Sequence, residues 1–196
     1  MGFEGPPADL FSRPLRRARV PKALARISRQ GYPDPFFWSR RGTGRFDVAD
    51  GRYGVLYTAQ DFETAVVEVF GDAWLGTRVL ARSELEGFEA LEFAVMGNLR
   101  VADLTGRALN LLGTDARLFA TRDYETTRAW SKCLMEHPRA VDGLRYPSRK
   151  NPKKLNYALY DTTAVRAGLS LAGRGPLLEH PEFHDVLDRY EVGVVG

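Results

Sequence analysis

The stretch from Val55 to Gly71 constrains the fold more than any other part of the chain. Val55-Leu56-Tyr57 is a short apolar run that reads as a strand, and it leads directly to Asp61, a residue type that caps helix N-termini. Phe62, Ala65, Val66, Val69 and Phe70 then recur at the spacing of one buried helical face, and Gly71 is expected to end the helix. A strand running straight into a capped, one-faced helix commits this region to a helix packed on a sheet. Further on, Leu91, Phe93 and Val95 alternate with Glu92 and Ala94 as a half-buried strand does. Gly97-Asn98 is expected to turn the chain back as a second strand over residues 99–104. Strands are also expected at 23–28, 143–146, 156–160 and 191–195. Helices are expected at 106–112 and at 124–136, where His137-Pro138 stops the second. This mixture lacks strict strand–helix–strand alternation, so it points to an α+β fold rather than a doubly wound sheet.

A chain of 196 residues, 44% hydrophobic and 27% charged, fits one globular domain with a real core. No apolar run approaches the length of a bilayer span, the start MGFEGPPADLF lacks a signal-peptide pattern, and the single cysteine, Cys133, has no disulfide partner. A cytoplasmic protein is the expectation. The formal charge of +3 is too small to imply nucleic acid by itself. The basic residues do cluster, at Arg13, Arg16, Arg17, Arg19 and Lys22 and again at Arg145, Arg149, Lys150, Lys153 and Lys154. Each cluster is either a solvated surface or an attractor for an anion. Residues 1–22, rich in Pro and Arg without a period, are expected to form a basic arm outside the core. The segment from Gln30 to Gly54 reads as a long loop dense in Gly, Pro and aromatics, the kind that often carries function.

Five residues stand out, and each has a plain alternative. Arg26 interrupts the apolar strand Leu24-Ala25-Arg26-Ile27, or simply snorkels to a sheet edge. Arg45 follows Gly42-Thr43-Gly44, where glycines would let a backbone approach a ligand, or is one more loop charge. Tyr57 ends its strand and is equally read as core packing. Glu68 lies about 130° from the centre of the helix's apolar face at ~100° per residue, a position that ordinarily faces solvent. Yet Val67 on the other flank is apolar, so the helix is expected to be enclosed on more than one side. Ser148, after Pro147, offers a small hydroxyl to a ligand or is a turn residue and nothing more.

Taken together and in order, these residues resemble the RES family, named for an Arg, a Glu and a Ser. The resemblance is carried by Gly44-Arg45-Phe46-Asp47, Val55-Leu56-Tyr57-Thr58-Ala59 and Glu63-Thr64-Ala65-Val66-Val67-Glu68-Val69. Leu24-Ala25-Arg26-Ile27-Ser28 stands upstream, and Asp142-Gly143-Leu144-Arg145-Tyr146-Pro147-Ser148 and Leu187-Asp188-Arg189-Tyr190-Glu191-Val192 stand downstream. It spans residues 23–196 and omits the arm. It departs after Phe46, where many members have Asn-Pro-Pro and this chain has Asp47-Val48-Ala49-Asp50, acids that would alter the loop's contact with phosphate.

The resemblance implies a single domain with an ADP-ribosyltransferase-like small mixed sheet flanked by helices. It further implies a toxin that cleaves the nicotinamide–ribose bond of NAD⁺, by hydrolysis or phosphorolysis, and is neutralised by an Xre-type antitoxin. Nucleic acid would then be reached only through the antitoxin. NAD⁺ is the substrate, and no other cofactor or metal is required. In these terms Arg26 and Arg45 hold phosphates, Tyr57 faces the nicotinamide side, Glu68 is the catalytic carboxylate and Ser148 lines the pocket. The residue types suit that chemistry. Nicotinamide leaves as a neutral molecule, so one carboxylate suffices where ordinary glycosidases need two, and guanidinium forks match phosphate oxygens. The rival readings are an ADP-ribosyltransferase acting on a protein and a non-enzymatic nucleic-acid-binding module. His180 and His184, four apart, lack a third metal ligand and read as surface histidines; Gly42-Thr43-Gly44 lacks the strand and helix of a dinucleotide fingerprint. Cys133, at helical spacing from Ala129, Trp130 and Leu134, reads as packing.

Overall fold

The computed structural model of the chain describes residues 4–48 and 50–196. Residues 1–3 of the N-terminal segment, and Ala49 in the divergent loop, lie outside the described residues. In chain order the elements are β1 (Arg17–Arg19), β2 (Ala23–Arg29), β3 (Val55–Ala59), α1 (Phe62–Thr77), β4 (Val79–Ala81), α2 (Arg82–Leu85), β5 (Phe88–Val95), β6 (Arg100–Asp103) and α3 (Arg107–Leu112). They continue with α4 (Arg117–Ala120), α5 (Tyr124–Met135), β7 (Gly143–Pro147), β8 (Leu155–Tyr160), α6 (Thr163–Gly168), β9 (Leu169–Pro176), α7 (Phe183–Arg189) and β10 (Gly193–Val195). The main sheet has eight strands in the order β1-β6-β7-β8-β3-β2-β5-β9. Only β6 and β7 run parallel within it. This is the α+β arrangement anticipated from the mixed pattern.

The sheet is curved. Residues 96–99 can span at most about 18 Å between β5 and β6. Those strands stand five places apart in the order, about 24 Å on a flat sheet. The sheet therefore bends around a cluster that joins Leu91 and Phe93 of β5 to Val101 of β6, Leu56 of β3 and Leu159 of β8. The expected hairpin at Gly97-Asn98 is thus corrected: the chain crosses the mouth of the curve, and β6 pairs with β1 and β7 instead. On the other face, α1 and α7 cover Ala25, Ile27, Ala59 and Ala90, while α5 covers Val55, Ala102, Leu144 and Ala158.

Two other expectations are corrected. Gly71 does not end α1, which continues to Thr77 and closes on Arg78 in the left-handed region at φ 52°. A Cβ on Gly71 would meet Lys150 Cδ at 2.7 Å, so this glycine admits a side chain lying across the helix. The N-terminal segment is no detached arm: Leu10 and Leu15 are buried and Arg17–Arg19 is the edge strand on β6. The last expected strand, 191–195, forms as β10, which pairs with β4 in a separate two-stranded ribbon. Pro181 marks the start of a helix in the sequence, and α7 follows it; the pattern missed α6 and β9, the latter carrying Gly173 and Gly175 and exposing most of its residues. Among the described residues no helix is long and apolar enough to cross a membrane.

Candidate active site

The middle of the sheet is split. β2 and β3 pair only at Ala25 and Ala59, whereas β2 pairs along its whole length with β5. Beyond that one pair the strands part, and a cavity of about 260 Å³ opens beside the unpaired residues. Strand alternation sends Ala25 and Ile27 toward α1 and Arg26 to the opposite face. The gap lets both sides border the same space. Arg26, Tyr57, Thr58 and Asn156 line it from the sheet, Ala65, Glu68 and Val69 from α1, and Tyr146 from β7.

Glu68 is half-buried at this wall, and its position is set by the chain after β7. The Ser148 hydroxyl donates a short hydrogen bond to Glu68 Oε1. Ser148 Oγ in turn accepts from the backbone N–H groups of Lys150 at 3.2 Å and Asn151 at 2.9 Å. Ser148, only 1% exposed, is therefore both a turn residue and the clamp on the carboxylate. Lys150 crosses the space left by Gly71, donates to the Glu68 carbonyl at 2.9 Å and pairs with Asp72 at 3.2 Å. A helix face that the apolar period alone assigns to solvent is thus covered by the 148–151 turn.

Arg26 stands across the cavity from α1. Burial lowers the affinity of its guanidinium for the proton, and Asp34 partly offsets this. Among the described residues its one hydrogen bond runs from Nη1 to the Phe37 carbonyl at 3.2 Å, which leaves other donors of the fork uncommitted there. Arg45 does not line the cavity. Its guanidinium lies over the Tyr124 ring at 4.8 Å and donates to the Thr121 carbonyl at 2.5 Å.

Tyr57 presents its ring to the cavity, but its hydroxyl is engaged elsewhere. It donates to Asp47 Oδ1 at 2.9 Å and accepts from the Phe46 N–H at 2.8 Å. Burial, and then the Asp47 carboxylate, push this phenol well above its ordinary range. Asp47 is fully buried and also accepts from Ser39 Oγ and the Thr43 and Gly44 N–H groups. Asp47, one of the two acids of the divergent loop, pins that loop. Gly44 is small for the same reason: a Cβ there would lie 2.6 Å from both Asp47 Oδ1 and the Tyr57 oxygen. From the other side α5 grips the loop, with Thr127 and Ser131 donating to the Arg45 and Phe46 carbonyls.

Two residues that the sequence reading passed over complete the wall. Tyr146 packs edge-on against Phe46 at 4.9 Å. Burial and the Glu68 charge raise its phenol, with Arg45 acting in the opposite sense, so it lies electrostatically between the two. Asn156 is 4% exposed, yet its Oδ1 has no hydrogen-bond partner among the described residues, and neither does Thr58 Oγ1. The signal for Asn156 was available: asparagine is depleted in strands, and here it sits inside an otherwise apolar strand, register-paired with Tyr146.

The second basic cluster is largely neutralised. Arg145 pairs with Asp103, Arg149 and Lys150 with Asp72, and Lys154 with Asp61. The histidine pair is divided. His184 is exposed, but His180 is no surface histidine: it stacks on Phe62 at 3.6 Å and reaches Glu92 at 3.5 Å. Cys133 is half-buried against the α5 core.

The RES domain model matches residues 23–177. No curated protein matches the chain. Among solved structures, a chain of the crystal structure of the M. tuberculosis MbcT–MbcA toxin–antitoxin complex is similar, with a TM-score of 0.68 over 93% of this chain and 98% of that one. At 17% identity the likeness is one of fold. With most of its length matched, the split sheet included, the chain belongs to the RES-domain family.

Proposed function

We propose that this protein is a toxin that cleaves the N-glycosidic bond between nicotinamide and ribose in NAD⁺. The observation that carries the reading is the Glu68 carboxylate, clamped by Ser148 at one wall of the cavity with Arg26 at another. As the bond breaks, its electron pair goes to the pyridinium nitrogen and nicotinamide departs neutral, leaving positive charge on the ribose. Glu68 is preorganised to offset that charge. Arg26 has donors to spare for a phosphate, and Arg45 at the loop rim is the second candidate. Tyr57 and Tyr146 supply aromatic walls. The orphan Asn156 Oδ1 suits an N–H donor, such as the carboxamide of nicotinamide, because an unpaired buried acceptor costs about 1–3 kcal/mol. Water or phosphate completes the reaction at the ribose carbon. By likeness to the MbcT–MbcA complex, the partner is an antitoxin, of the Xre type in the family this chain joins, and the setting is the cytoplasm.

The test is to incubate the purified protein with NAD⁺, with and without phosphate, and to follow nicotinamide and the ribose-containing product. ADP-ribose alone indicates hydrolysis, and a phosphate-dependent product indicates phosphorolysis. Glu68→Gln, folded by its melting temperature, should lose about 10²–10³ in rate. Near-normal NAD⁺ loss by that variant would overturn the assignment. Nicotinamide release only when lysate protein is added would favour ADP-ribosylation of a protein.

A further inference from the structure

A second cavity, of about 600 Å³, lies at the β1–β6 edge of the sheet and shares no lining residue with the Glu68 cavity. Arg16, Arg17, Arg100, Arg107 and Arg139 converge on it, with Asp103 as its one acidic lining residue. Asp103 is already engaged by Arg145, at 2.8 Å, and by Thr105. Asp142 accepts from the Arg100 backbone N–H and does not pair with its guanidinium. None of the five arginines forms an ion pair among the described residues, while Asp161, Glu89 and Glu63 are paired with arginines elsewhere. Arg17 and Arg139 donate only to backbone carbonyls, and the side chains of Arg16, Arg100 and Arg107 have no hydrogen bond at all among the described residues. The β1–β6 register adds to the repulsion, since Arg19 stands directly opposite Arg100. Like charges facing each other across strands are destabilising, and neither Arg19 nor Arg100 forms an ion pair among the described residues.

We infer that this cleft is a binding site for a small polyphosphate anion, either a nucleoside polyphosphate or an inorganic oligophosphate. Several guanidinium forks converging on a concavity match the many oxygens of such a chain. The volume lies within the range of about 300–1,000 Å³ typical of small-ligand pockets. A duplex or a membrane would instead call for a charged face extended along the surface. Part of the site, Pro14 to Arg17, comes from the segment that precedes the RES match at residue 23. The cleft shares no residue with the Glu68 cavity and is independent of the reading given to Glu68.

The experiment is calorimetric titration of the full chain with inorganic tripolyphosphate and, separately, with ATP, at low salt. The triple variant Arg16→Gln/Arg100→Gln/Arg107→Gln removes guanidiniums that hold no other part of the protein, so it should fold with an unchanged or higher melting temperature. It should bind tripolyphosphate at least about tenfold more weakly, the loss of a single such contact. Arg26→Gln, in the other cavity, should leave this binding intact. Tighter binding of ATP would assign a nucleoside polyphosphate, and equal binding an inorganic chain. The inference fails if the triple variant binds as the native protein does, if Arg26→Gln abolishes binding instead, or if neither anion binds. It also fails if duplex DNA outcompetes both anions and is lost in the same triple variant, which would make the edge a nucleic-acid surface.

Discussion

Ser148 performs two tasks with one oxygen, and they can be separated. Ser148→Ala removes the donor to Glu68 and the acceptor for the Lys150 and Asn151 N–H groups. Hydrogen bonds to charged groups are worth about 1.5–3 kcal/mol. If Ser148 positions the carboxylate, the alanine variant should lose about 10–100-fold in kcat with little change in KM. Ser148→Thr, which keeps the hydroxyl, should recover most of it. A purely structural serine would lower the melting temperature in the alanine variant and leave kcat alone. Single residues were ambiguous in the sequence for this reason: turn-capping and carboxylate-holding serines look alike until the other end of the hydrogen bond is known. Tyr57 shows the reverse. Its hydroxyl is satisfied by Asp47, as a packed core tyrosine's would be, while its ring still borders the cavity. Tyr146 and Asn156 carried weaker signals, because each borders the cavity only after β7 and β8 are in register.

At the scale of elements, α1 was readable from Asp61 and the apolar period, whereas its end was not. Helix length was set by Lys150 lying over Gly71 and by Trp74 in the core, contacts far apart in sequence. The start has a measurable signature. Burial alone would raise the Asp61 carboxyl, but the Lys154 ammonium and the Thr64 hydroxyl and N–H outweigh it and hold it at about 2. Its unfolded value is about 3.9. A depressed acid contributes stability above its unfolded value and loses it as pH falls through the folded one. The window therefore runs from about pH 4 down to about pH 2. The side chain is 36% exposed, so solvent screening reduces the gain. Asp61→Ala should cost about 1 kcal/mol near neutrality, a typical N-cap loss, and denaturant titrations should show that difference shrinking across the window. Asp61→Asn keeps a cap but loses the charge, so it should be less stable than the native protein at pH 7, converge with it near pH 2 and show a flatter dependence in between.

At the scale of the whole molecule, sequence order and sheet order part company, since β5 and β6 are neighbours in the chain and five places apart in the sheet. Local turn chemistry at Gly97-Asn98 carries no information about that separation, which comes from curvature around Leu91, Phe93 and Val101. The same non-local packing draws in the N-terminal segment. Leu15 is fully buried among Phe46, Leu104, Leu112 and Trp130. Trp130 Nε1 donates to the Glu4 carbonyl at 3.2 Å, and Arg139 donates to that of Leu15 at 2.9 Å. Pro and Arg content concealed this, because the anchoring leucines follow no period. Leu15→Ala should therefore behave as a core truncation, costing about 2–5 kcal/mol. At this chain length that lowers the melting temperature by about 2–4 °C for each kcal/mol. An exposed control in the same segment, Arg19→Gln, should leave the melting temperature unchanged or raise it, since it relieves the contact with Arg100. Were residues 4–22 an arm free of the core, both variants would melt with the native protein, so a thermal scan of the pair decides whether the molecule begins at its first strand or well before it.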